Sequence, residues 1–187
     1  GILNMNGGAV TGDIANAGAI NGAMALGGAA LNLNGTAGSV TGAVTGGAGS
    51  VVNVNGTFTT GNTFAVDTYN IASGATFNAG HGITADTAFT NNGVTTLTAV
   101  LDGAGSKTNA ASAVLNLGVN GSVGALTNNG IFNLNGGTVT GAVAGAGTVN
   151  VNSDYTTAAS FAANTFNVAS GATFNVGHGI TANTAFT

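Results

Sequence analysis

Cysteine, proline and tryptophan are missing from the 187 residues, and charged side chains make up only 3% of them, where soluble domains carry roughly a quarter. Glu, Gln and Arg are also absent, and Lys107 is the single basic side chain of its kind. A nucleic-acid binder displaces counterions with a basic face, and one lysine cannot build one, so no nucleic-acid partner is expected. The formal charge of −4 comes from Asp13, Asp67, Asp86, Asp102 and Asp154 against Lys107, too sparse a set for an acidic tail or a steering field. The residues that usually cover helix surfaces are the ones missing, so little or no helix is expected. The lack of cysteine fits a protein exported unfolded, because an early disulfide would block passage through an outer membrane. No apolar run is long enough to span a bilayer as a helix, and no membrane insertion of this segment is expected. Gly1 is followed by neither a basic leader nor an apolar core, which places any export signal outside this chain.

What is present is repetition. Hydrophobic residues make up 44% and alternate with Asn and Thr, so the chain has a face to bury rather than the composition of a disordered tract. SGATFNAGHGITADTAFT at Ser73–Thr90 returns at Ser170–Thr187 with two changes, Ala79 to Val176 and Asp86 to Asn183. GILNMNGGAVTG at the start returns as GIFNLNGGTVTG at Gly130–Gly141, and Leu33–Val44 is echoed more loosely at Leu134–Val143. The repeats divide a single segment, 1–187, into modules of about 1–92, 93–129 and 130–187. New modules begin after Asn91-Asn92 and Asn128-Asn129, so the chain reads as part of a longer array, with Asn-Asn-Gly expected after Thr187.

Inside the modules run short alternating stretches: LNMN at Leu3–Asn6, LNLN at Leu31–Asn34, VNVN at Val52–Asn55, FNLN at Phe132–Asn135 and VNVN at Val149–Asn152. A period of two is that of a strand with one buried face. Asn-Gly follows at Asn6, Asn34, Asn55 and Asn135, a pair that tolerates positive φ and turns the chain. Asn-Gly also marks hairpins. However, like strands recur in like surroundings at spacings of 17, 21 and 28 residues, which suits coils stacked on one another. The expected fold is all-β, a right-handed parallel β-helix with coils of about 17 to 28 residues. Val, Leu, Ile and the nine Phe residues would form its core, and outward Asn and Thr would form hydrogen-bonded ladders. Tyr69 and Tyr155 are the aromatics expected at the surface.

Chemistry-bearing patterns are few. His81 and His178 occupy equivalent G-H-G-I-T contexts, but only Asp86 lies near as a further ligand, and its counterpart is Asn183, so both read as polar turn residues. Acid–base catalysis needs a poised pair, and the aspartates look scattered. The DGAGSKT stretch at Asp102–Thr108 has Ser106 where a phosphate loop needs glycine, and GGAGSVV at Gly46–Val52 lacks the aspartate of a calcium-binding nonapeptide. Asn34, Asn55 and Asn120 open formal glycosylation acceptors that read as plain turns. No catalytic, cofactor-binding or metal-binding residue is assigned, no cofactor is expected, and the chain is read as a non-enzyme.

The module NNGIFNLNGGTVTG at Asn128–Gly141, together with SGATFN at Ser170–Asn175, resembles the passenger regions of bacterial autotransporter adhesins, including rickettsial-type surface antigens. The resemblance covers nearly the whole chain. It implies a cell-surface or extracellular location and a non-catalytic structural or adhesive scaffold, with a host-cell or glycan surface as partner. The alternative is a self-assembling filament or surface-layer subunit, with self-association through end coils or side contacts. A third reading, an ice-binding surface, would need flat threonine rows, and Thr57, Thr59, Thr60 and Thr95, Thr96, Thr98 do not read as repeating at one coil position.

Overall fold

The computed structural model describes all residues except Gly1, Asn6, Asp13, Ala17 and Ala37. The sequence expectations on Asn6-Gly7, on the last position of Leu3–Asn6 and on Asp13 therefore involve residues outside the described set. Short strands fill the chain and no helix occurs among the described residues. Every strand pair is parallel, and consecutive coils stack into a β-solenoid of about ten turns. At about 4.8 Å between paired strands, the stack is roughly 48 Å long.

Each coil has three faces. In chain order the first three strands, Ile2–Asn4, Ala9–Val10 and Ile14–Asn16, start faces I, II and III. Each pairs with the strand three further on, Ala19–Asn21, Met24–Leu26 and Ala30–Leu33. Face I continues through Thr76–Ala79, Val94–Leu97, Val114–Leu117, Ile131–Leu134 and Thr148–Val151. The alternation seen in the sequence now has a direction. In Thr76–Ala79, Phe77 and Ala79 are buried while Thr76 and Asn78 face out. Inward columns then run along the axis, as in Phe58–Phe77–Thr95–Leu115–Phe132–Val149–Phe166. Like side chains pack over like side chains, and burial of the apolar members supplies the drive to stack.

One expectation needs correction. Paired residues lie 16 to 22 positions apart, as in Ala9↔Ala25 and Leu101↔Val123, so the 28-residue spacing from Leu3 to Leu31 is not a coil. Leu3 stacks beneath Ile20 on face I, and Leu31 sits on Ile14 on face III. As expected, the Asn-Gly pairs at Asn34, Asn55 and Asn135 form corners between faces and not hairpins. At Gly56 the φ is ordinary and the need is space: a Cβ there would lie 1.9 Å from the Gly35 carbonyl oxygen of the preceding coil.

The long repeat also has a structural phase. Residues 51–90 and 148–187 are offset by 97 positions, and their internal pairings match. Phe64↔Ile83 answers to Phe161↔Ile180, Val52↔Tyr69 to Val149↔Phe166, and Phe58↔Phe77 to Tyr155↔Phe174. Their faces do not match. Val52 and Tyr69 lie on face III, in the column of Leu31 and Phe89. Val149 and Phe166 lie on face I, above Phe132. The second copy is the first moved one face along the coil.

Candidate functional site

The side-chain ladders are the chemistry that the fold assembles. On face I, an outward row donates amide to amide. Asn133 Nδ2 donates to Asn116 Oδ1 at 2.8 Å, Asn150 to Asn133 at 2.7 Å and Asn167 to Asn150 at 2.8 Å. On face III, Asn53 donates to Asn32 and Asn70 to Asn53. Corner amides do the same from Asn55 to Asn34 and from Asn152 to Asn135. The outward Asn ladders expected from the sequence are thus present, and in these rows each donor points to the coil before it.

The sequence reading missed an interior ladder. Asn91, Asn109 and Asn128 occupy the inward column of face III that holds Leu33, Val54 and Ile71 in earlier coils, and all three are fully buried. Here the donors point the other way. Asn91 Nδ2 donates to Asn109 Oδ1, and Asn109 Nδ2 to Asn128 Oδ1, both at 2.8 Å. The remaining amide protons reach backbone carbonyls of the adjoining corner, Asn91 to Val114 O, Asn109 to Ile131 O and Asn128 to Thr148 O. Asn91 Oδ1 accepts from the Gly93 N–H and from the Thr95 hydroxyl, which explains a buried threonine in an otherwise apolar column. A buried amide is tolerated only when satisfied in this way. The Asn-Asn-Gly signal that marks module starts is therefore a corner device. Its first Asn locks the turn from inside, and its Gly is needed because a Cβ at Gly93 or Gly130 would meet two carbonyl oxygens of the preceding coil within 2.5 Å.

The titratable residues do not converge. His81 Nδ1 lies 3.2 Å from Thr60 O and its N–H bonds Thr60 Oγ1; His178 repeats both contacts with Thr157. His81 follows a face I strand and His178 a face II strand, so the phase shift puts them on different corners. No three His or Asp residues come together as metal ligands among the described residues. Asp67, Asp86 and Asp102 are less scattered than the sequence suggests, since Asp67 and Asp86 fall on the edge between faces II and III in consecutive coils and Asp102 ends the face II strand of the next coil, over Thr84. Asp67 is held below the usual carboxylate range by the Thr87 hydroxyl and the Gly49 N–H.

Lys107 is 7% exposed, in the inward column that carries Phe89 one coil earlier. Its stem fills the core, and Nζ turns back to donate to Gly103 O at 2.7 Å and Gly105 O at 3.1 Å. Burial pushes its pKa down, opposed by the charge of Asp102. The ammonium serves as a cap for a bulged corner, and beside it lies a shallow groove of about 450 Å³ lined by Asp102, Ser106, Ser122 and Thr127.

Both tyrosines overturn the surface assignment. Tyr69 is fully buried and donates its hydroxyl to Phe64 O at 2.9 Å, while Tyr155 is 6% exposed and accepts from the Val139 N–H at 3.0 Å. Burial raises the pKa of each, for Tyr69 with a contribution from Asp86. Most phenylalanines sit in the core as expected, although Phe186 is 53% exposed. The threonines singled out in the sequence do not stack on one another, since Thr57 lies under Thr76, Thr59 under Asn78 and Phe77 under Thr95; a short threonine row occurs elsewhere, at Thr90, Thr108 and Thr127.

Fold and ladders together define a parallel β-solenoid whose regular feature is amide and hydroxyl rows. No protein-family model matches the chain, and neither the curated proteins nor the solved structures gave a match.

Proposed function

We propose that the chain is a non-catalytic structural and adhesive rod, a segment of a bacterial cell-surface or extracellular protein like the autotransporter passengers its modules resemble. One observation carries the reading. Outward side-chain rows run in register from coil to coil on face I, so each added coil lengthens the rod along one axis. A stacked array of this kind gains stability with each coil and holds its far end at a fixed distance. Three-faced coils clad in Asn and Thr offer neutral hydrogen-bonding rows to a glycan or host-cell surface, and the absence of cysteine is compatible with export. The test is electron microscopy of the purified chain combined with binding to glycan arrays and host cells. Separate rods of about 50 Å that bind a glycan or cell surface support the proposal. Ordered end-to-end fibres without a partner favour the filament, and compact particles that bind nothing contradict both.

A further inference from the structure

Face I carries a second outward row beside its amide row. Stacking order makes it Thr57, Thr76, Val94, Val114, Ile131, Thr148, Thr165. Its centre is three aliphatic side chains on consecutive coils, with Val94 37% and Ile131 39% exposed. Threonines flank them on both sides. The row therefore reads nearly the same in either direction about Val114, with Ile131 standing opposite Val94. The neighbouring row, Thr59, Asn78, Thr96, Asn116, Asn133, Asn150, Asn167, is made of amides and hydroxyls throughout and is centred on Asn116. None of the face I strands from Thr57 to Val168 contains a charged residue.

We propose that this face docks on a second copy of the same chain, antiparallel, about a two-fold axis that passes at Val114. An isologous contact sets each side chain against the one equally far from the axis. Val114 then meets Val114 of the other copy, Val94 meets Ile131, Thr76 meets Thr148 and Thr57 meets Thr165. In the second row, Asn116 faces Asn116 and Asn78 faces Asn150, each amide able both to donate and to accept. Two identical charged faces would repel on such an approach, and this face has no charge to repel. Seven coils at about 4.8 Å and strands of about 13 Å give roughly 400 Å² per copy. The total over both copies, roughly 800 Å², falls in the weak class of interfaces. The contact should accordingly be reversible, with a dissociation constant on the order of 100 µM. The inference concerns a side of the rod and does not rest on the surface-scaffold reading.

The test uses the full 187-residue chain, which has no cysteine of its own. Sedimentation from about 1 µM to about 1 mM should show a monomer–dimer equilibrium near the stated constant. Val114→Cys should give an oxidised dimer at high concentration, while Thr45→Cys on face II and Asn53→Cys on face III should give little. Val94→Lys and Ile131→Asp should each weaken association about tenfold, and the double variant should recover most of that loss, because each lysine then faces an aspartate across the axis. Circular dichroism and melting of each variant confirm that it is folded. A monomer at every concentration, equal cross-linking from all three faces, or a double variant no better than its parents would overturn the proposal. A persistent monomer would assign the strip to another occupant and leave the rod reading standing.

Discussion

Residues 51–90 and 148–187 are written in nearly the same words yet stand on different sides of the molecule. Both copies keep the same internal partners, and the second is rotated by one face relative to the first. The comparison shows what a strand in this protein encodes. Alternation fixes which side chains go inward, and corner residues fix where the strand stops. Neither says which of the three faces the strand will occupy. That is set by the number of corners already passed. The faces are consequently interchangeable enough for a 97-residue duplication to fit at five and one-third turns, without the coil having to match the repeat.

Interchangeability has measurable consequences. Phe64 on face II and Phe161 on face III are equivalent in sequence, and both are buried. Phe64→Ala and Phe161→Ala should each cost about 3–5 kcal/mol and differ by less than about 1 kcal/mol in denaturant titrations. A large inequality would break the equivalence of faces. Next in size, Asn109→Ala removes the middle of the interior ladder and strands the Asn91 amide, Asn128 Oδ1 and Ile131 O. It should cost about 3 kcal/mol. The same change at Asn133, in the outward ladder where water can replace the partner, should cost about 1 kcal/mol or less.

Smaller effects come from positions where the copies differ. Tyr69→Phe makes the first copy read like the second, where Phe166 stands, and loses one buried hydrogen bond, about 1 kcal/mol at neutral pH. Burial raises the Tyr69 pKa above that of the unfolded chain. The neutral phenol therefore contributes stability that is fully present below about pH 10 and is lost as the pH rises further. In unfolding midpoints between pH 8 and pH 11, the Phe variant should lose part of this alkaline decline. The smallest change is Asp67→Asn, which copies Asn164. The lowered carboxyl contributes stability present above about pH 4 and lost as the pH falls through its folded pKa, so the Asn variant should show a shallower acid limb.

The all-β solenoid, the inward phenylalanines and the outward amide ladders were legible because they depend on a period of two and on like stacking over like. The interior ladder was not, although its signal was printed in the sequence. Asn91 lies at the inward phase of Phe89, and an asparagine in that phase reads as a strand end unless its four hydrogen-bond partners are known. Tyr69 and Tyr155 were misplaced for a related reason, since a hydroxyl looks like surface chemistry until a core carbonyl or N–H is found to meet it. Placing Asp67 and Asp86 on one edge, with Asp102 beside it on the next coil, required the coil lengths, and those vary too much to be read from strand spacing alone.

The phase of the second copy is the point on which the account turns, and one pair of cross-links tests it. In Asn133→Cys/Asn150→Cys the two thiols sit on stacked coils of face I, within disulfide reach. In Thr127→Cys/Asn150→Cys they would meet only if Asn150 occupied face III, as its counterpart Asn53 does. The account predicts rapid oxidation of the first pair and none of the second; the reverse result would contradict it.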